Sequence, residues 1–315
     1  MEIDNVSEPS STRPPAQPAK TTAGKIFLNA QGLRAGWRLA IYALMVAALS
    51  VGAQMLVWKF SHPKRGVFSL TNLFLQEVLG FVTVFGAALA MSRIEKRSAG
   101  DYGLPARGAF GKLFWQGCIF GFAEISALLG LIALFHGYSF GSLALHGAEM
   151  AKWAILWAIF FVFVALFEEF LFRGYTLYTL RDGLGFWAAA IISSLLFALV
   201  HIQNSGEGWA GVAAVFVVGM LWSFSILRTG TLWFALGMHA AFDFGETFFY
   251  SVPDSGMLFP GHLSNASLHG AKWLTGGSVG PEASVFDFVL LIAMFYVVHL
   301  VYPVVKPQPD QLGQN

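Results

Sequence analysis

Trp157-Ala-Ile-Phe-Phe-Val-Phe-Val-Ala-Leu-Phe167 runs without a charge into Glu168-Glu169-Phe170-Leu171-Phe172-Arg173. The apolar run holding this stretch, Lys152–Leu180, is about 29 residues long. A membrane helix needs roughly 17–25 apolar residues, so the run is expected to span a bilayer and project a turn or two beyond it. A charge near the bilayer centre costs several kcal/mol. Two carboxylates and a guanidinium at that depth therefore mark a functional site.

Seven further apolar runs surround this one, at about Gly36–Phe60, Asn72–Arg93, Leu113–Phe135, Gly185–Ile202, Gly208–Leu227, Thr231–Ser251 and Val285–Val305. The expected fold class is all-α, a polytopic transmembrane helical bundle of about eight spans. Composition agrees. Of the 315 residues, 56% are hydrophobic and 12% charged, against roughly 25% charged in soluble domains. The net charge of +1 gives no pull on nucleic acid, so none is expected as a partner. Cys118 is the single cysteine. It cannot form an internal disulfide or a cysteine-based metal site, and reads as a small buried apolar residue.

Residues 1–35 read as a disordered N-terminal tail, rich in Pro, Ser, Thr and Ala and without the apolar core of a signal peptide. Residues 36–305 read as one transmembrane domain and 306–315 as a short cytoplasmic tail. Arg34, Arg38, Arg93, Lys96, Arg97, Arg107, Lys112, Arg181, Arg228 and Lys306 fall on one side if the spans alternate. The expectation is a multi-pass protein of the plasma (inner) membrane, with both termini cytoplasmic by the positive-inside rule. Lys59, Lys64 and Arg65 sit on the other side and weaken the bias. The long segment Val252–Ala283 then lies outside, as a lid or a loop.

Two more runs are interrupted by ionisable groups, one at Phe197-Ala-Leu-Val-His201 and one at His239-Ala-Ala-Phe-Asp243. At ~1.5 Å per residue from the cytoplasmic edges, Glu168 lies about 18 Å deep, His201 about 24 Å, His239 about 14 Å and Asp243 about 20 Å. Three spans thus bring ionisable groups to one level. Glu169 and Arg173 are spaced i,i+4 with the acid first, the favourable order for an ion pair. Glu168 is rotated by about 100° from Glu169. The division expected is Glu169 neutralised by Arg173, with Glu168 facing a cavity. A carboxylate held away from water there suits a general base near neutral pH. Asp243, one turn beyond His239, is placed to hold the imidazole. Glu77 and Glu124 lack an obvious partner and read as packing or water contacts. Glu246 is a supporting candidate beside Asp243, and Asp287 and His299 carry no motif.

The ordered set Glu168-Glu169-x-x-x-Arg173, Phe197-x-x-x-His201 and His239-x-x-x-Asp243, about 30 and then about 40 residues apart, resembles the three-motif signature of the type II CAAX prenyl endopeptidase (CPBP/Abi) family. The resemblance covers roughly Ala165–Phe244. It implies a helical bundle with a cavity open to the cytoplasm, where Glu168 activates a water with help from His201. His239 and position 243 form the oxyanion side, and Glu169, Arg173 and Phe197 support the site. Family members often carry Asn where this chain has Asp243. Asn donates to an oxyanion, whereas Asp does so only when protonated. Asp243 is therefore open to another role, orienting His239 or binding a metal. Glu168, His201 and His239 also suit a zinc site with an open position, which would make the protein a metalloprotease; activation of water without a metal is the rival reading. No His-Glu-x-x-His occurs.

The implied function is intramembrane endopeptidase, hydrolysing a peptide or lipidated peptide within the lipid bilayer. A non-enzymatic bacteriocin-immunity or scaffold protein of the same fold is the alternative. A proton-coupled transporter is a third class, since buried Glu and His also relay protons.

Overall fold

The computed structural model describes residues 26–29, 32–61, 69–204, 206 and 208–303. Residues 1–25 of the expected N-terminal tail, the expected tail at 306–315, and Lys64 and Arg65 lie outside these. The last part of the N-terminal segment forms a short antiparallel pairing of Leu28–Asn29 with Gly32–Leu33. It leads into α1, Ala35–Ser61.

The protein is an all-α membrane bundle. After α1 come α2 (Leu70–Glu95), α3 (Lys112–Leu134), α4 (Gly147–Glu169), α5 (Leu177–Leu184), α6 (Phe186–His201), α7 (Trp209–Thr229), α8 (Trp233–Phe244), the single-turn α9 (Lys272–Thr275) and α10 (Val285–Val301). Among the described residues five helical runs are long and apolar enough to cross a membrane: α1, α2, α3, α7 and the continuous stretch Gly147–Leu184 that joins α4 to α5. Helices appear at the three other expected spans but are shorter. α6 has 16 residues, α10 has 17, and α8 has 12 before its winding changes.

The helices run up and down. At one end Arg38 at the start of α1 donates to Glu95 at the end of α2 (2.7 Å) and to Asp182 in α5 (3.0 Å). At the same end Leu232, leading into α8, donates to the carbonyl of Gly103 beyond α2 (2.7 Å). Arg228 at the end of α7 donates to the carbonyls of His299 and Tyr302 at the end of α10. The opposite end is covered by residues 250–284. Ser267–Leu268 there pairs antiparallel with Tyr138–Ser139, and the Leu263 carbonyl accepts from Ala144 at 2.8 Å.

The closest helix contact lies between α3 and α8. A Cβ on Gly117 would sit 2.1 Å from the Phe234 carbonyl oxygen. One on Gly121 would sit 2.0 Å from that of Met238, and one on Gly237 2.0 Å from that of Phe114. Inside a membrane apolar burial gives helices no preference for each other over lipid, and backbone approach through small residues supplies the packing instead. Gly121→Val is expected to cost about 3 kcal/mol in a detergent unfolding titration, by overpacking. It should also cost activity, because Met238 directly precedes His239. Gly130→Ala on the same helix faces open space and should leave both unchanged. An equal effect of the two substitutions would disprove the contact.

Two helices change their winding. Between α4 and α5, Phe170–Thr176 forms a π-turn with Gly174 at φ −80°, ψ −116°. A side chain at Gly174 would meet the Phe170 ring at 2.8 Å, so glycine is required there. The wide turn loosens the backbone ladder, and Ser193 of α6 donates to the Phe172 carbonyl at 2.7 Å. The second π-turn, Gly245–Phe249, follows α8.

Candidate active site

Each π-turn begins within two residues of a site residue. Glu168 and Glu169 close α4 just before the first, and Asp243 lies two residues before the second. The helical rotation between the two glutamates sends them to different surroundings. Glu169 is fully buried and accepts from Arg173 at 3.0 Å; neither side chain is exposed. Glu168 is 26% exposed and lines a cavity of about 360 Å³.

Arg173 makes the one ion pair within hydrogen-bond range, and its Nε and Nη2 have no hydrogen-bond partner among the described residues. The aromatic faces around it take up part of its charge. Its guanidinium carbon lies 4.0 Å from the Phe197 ring centre and 5.2 Å from that of Trp222. Gly219 makes room for it, since a Cβ there would stand 2.4 Å from Nη2.

His239 is the hub. Its Nδ1 lies 3.2 Å from Glu169 Oε1. Its Nε2 lies 3.2 Å from Asp243 Oδ2 and 3.8 Å from Glu168 Oε2. The ring stacks on Trp222 at 4.3 Å and 19°. Both ring nitrogens thus face carboxylate oxygens and one face is covered by indole. The ring has little freedom to turn, which is how neighbours orient a catalytic imidazole. Asp243, one turn beyond His239 on the same helix, faces its Nε2.

His201 ends α6 and lines the same cavity as Glu168. Its Nδ1 donates to the Phe197 carbonyl at 2.8 Å, which sets the tautomer. Glu168, His201, His239 and Asp243 therefore all face one cavity, while Glu169 and Arg173 lie behind His239 and Phe197 packs between Arg173 and His201. Among the described residues, no three His, Cys, Asp or Glu side chains converge on one ion position.

Several residues of the site carried no readable signal. Glu77 of α2, read from sequence as a packing or water contact, lines the cavity with Glu168. Gln203, Asn204, Asp254 and Ser255 reach it from loops. Leu73, Phe160, Phe161, Val164, Met257 and Phe259 make its wall apolar. Of these, only Glu77 stands out in the sequence, as a charge inside an apolar run.

Residues 150–245 match the family described as type II CAAX prenyl endopeptidase Rce1-like. The match begins in α4 and ends at the start of the second π-turn. The chain is also 28% identical over 182 residues, 55% of its length, to the Uncharacterized protein YyaK of Bacillus subtilis (strain 168). It spans 59% of that relative's length. No solved structure matches the chain.

Proposed function

With residues 150–245 an Rce1-like domain, we propose that the protein is an intramembrane endopeptidase of the CAAX-protease type that cleaves a peptide or lipidated peptide by water activated at Glu168. The supporting observation is the cavity that Glu168 shares with His201, His239 and Asp243 between apolar walls. Glu168 takes a proton from a water molecule, whose oxygen attacks the scissile carbonyl carbon. Negative charge then develops on the carbonyl oxygen, and His239, held by Glu169, Asp243 and Trp222, faces that charge. Glu168 returns the proton to the departing amine nitrogen as the C–N bond breaks. His201, which lines the same cavity, is the second partner of the water. Apolar walls suit an apolar or prenylated stretch beside the scissile bond.

In the same proposal the arginine-bearing end, with the first and last helix ends, faces the cytoplasm of a plasma (inner) membrane. The transmembrane domain is the protease unit. The detergent-purified protein is expected to cleave members of a library of apolar and prenylated peptides, read by mass spectrometry. Cleavage is expected to survive a chelator. Cleavage lost to the chelator and restored by zinc would replace the metal-free reaction with a metalloprotease. No cleavage of any peptide by well-folded protein would shift the assignment to the immunity or scaffold reading.

A further inference from the structure

Behind His239 and Asp243 lies a second chamber of about 80 Å³. It adjoins the first, because His201, His239, Asp243, Asp254 and Ser255 line both. Six carboxyl groups line it: Glu124, Asp243, Glu246, Asp254, Glu282 and Asp287. Among the described residues no lysine or arginine does. The carboxyls come from α3, from α8 and its π-turn, from both ends of the outer loop and from the first turn of α10.

Three of them have partners: Asp243 lies 3.2 Å from His239 Nε2, Thr247 donates to Asp254 at 2.9 Å, and the Ser255 N–H donates to Glu282 at 2.8 Å. Glu124, Glu246 and Asp287 are 3%, 1% and 4% exposed. Glu124 Oε1 and Asp287 Oδ1 have no hydrogen-bond partner among the described residues. Asp287 faces Glu124 and Glu282, and Glu246 faces Glu282, Asp254 and Asp243. A buried carboxyl oxygen without a partner costs free energy, so Glu124 and Asp287, in a wall that holds no lysine or arginine, call for an occupant that donates to them. A calcium ion takes six to eight oxygens at about 2.3–2.6 Å, yet no three of these groups converge on one ion position. A dispersed wall of acceptors suits a larger cation whose N–H groups point several ways. Phe197, Val218, Met238 and Leu291 supply apolar surface beside the carboxyls, which suits the hydrocarbon stem of such a side chain.

We propose that this chamber is a subsite for a cationic side chain of the substrate, a lysine ammonium or arginine guanidinium flanking the scissile bond on the Asp243 side. The assignment of the cation to a substrate rests on the peptidase reading; the cation site itself does not. Burial, with Asp243 and Glu282 nearby, pushes the Asp254 carboxyl well above its usual range.

Two measurements on the detergent-purified full chain test this. The first follows thermal unfolding with n-butylammonium or n-butylguanidinium, against n-butanol and equal sodium chloride. The organic cations are expected to raise Tm by several degrees and the controls not to. The double variant Glu124→Gln/Asp287→Asn should lose the shift; if it does not fold, Glu124→Gln alone should halve it or more. The second compares peptides carrying Lys, Arg, norleucine or Glu beside the scissile bond. The wild type should favour Lys or Arg over norleucine by at least about tenfold in kcat/KM. The variant should lose that preference while cleaving the norleucine peptide as before.

The absence of a Tm response to either organic cation overturns the subsite, whether or not peptides are cleaved. So does a response to calcium or magnesium alone, which would make it an inorganic site. A Tm response lost in the variant, without cleavage of any peptide, keeps the cation site and removes the peptidase reading.

Discussion

Glu168→Gln should lower kcat by about 10³-fold, within the range for loss of a general base, and leave Tm within about 2 °C of the wild type. The small stability effect follows from where the side chain lies. Glu168 faces the cavity, and its nearest cationic candidate, His239 Nε2, is 3.8 Å away. Glutamine has the same shape and can keep a water in place, so no buried charge loses its partner. KM should change little, because the substituted group handles the water and not the substrate chain. The check is steady-state cleavage of the best library peptide beside a melting curve in the same detergent. Activity above a tenth of the wild-type value would remove Glu168 from the chemistry. Glu169→Gln, one residue on, should behave differently, because it removes the partner of Arg173 and of His239 Nδ1 together.

Arg173→Met should be the most destabilising of the substitutions considered, by about 3–5 kcal/mol, because it strands a buried carboxylate. For a chain of this size that is a fall of roughly 10 °C in Tm. The double variant Glu169→Gln/Arg173→Met should recover most of the loss, since removing both charges leaves a neutral amide against an apolar side chain. A double-mutant cycle read by thermal unfolding measures the coupling. If the two losses simply add, the pair is not an energetic unit, and the hold on His239 must come from Asp243 and Trp222. Arg173 also has three aromatic rings around it, at 4.0, 5.2 and 5.9 Å. A methionine can keep part of that packing, so most of the expected cost is electrostatic.

The membrane bundle was legible because burial in lipid imposes long apolar runs, and because charges inside such runs are few. The rotation between neighbouring glutamates follows from helix geometry, and Glu169 does face Arg173 while Glu168 lines the cavity. What stayed hidden depends on distances between elements. Nothing local in Gly117, Gly121 or Gly237 announces that two backbones nearly touch. Trp222 reads as one more aromatic in an apolar span, and only the fold stacks it on His239. The expected long fourth span is helical from Gly147 to Leu184 but broken by a π-turn. Hydropathy cannot see that turn, since Phe170–Thr176 is as apolar as its surroundings except at Arg173. The carboxyls of the second chamber are scattered over more than 160 positions of the chain (Glu124 to Asp287), and no spacing rule gathers them.

The unequal winding of α4–α5 and α8 also divides the molecule mechanically. Along the α3–α8 contact the glycines leave no slack, so the start of α8 is clamped to a neighbour that contributes no group to the first cavity. Just past Glu169 and Asp243 the chain passes into looser coils, where a small rotation strains fewer bonds than in a regular helix. The reactive groups thus sit at the boundary between a stiff clasp and two compliant joints. Carboxylates at such a boundary can follow a substrate by fractions of an ångström while the imidazole between them stays in place.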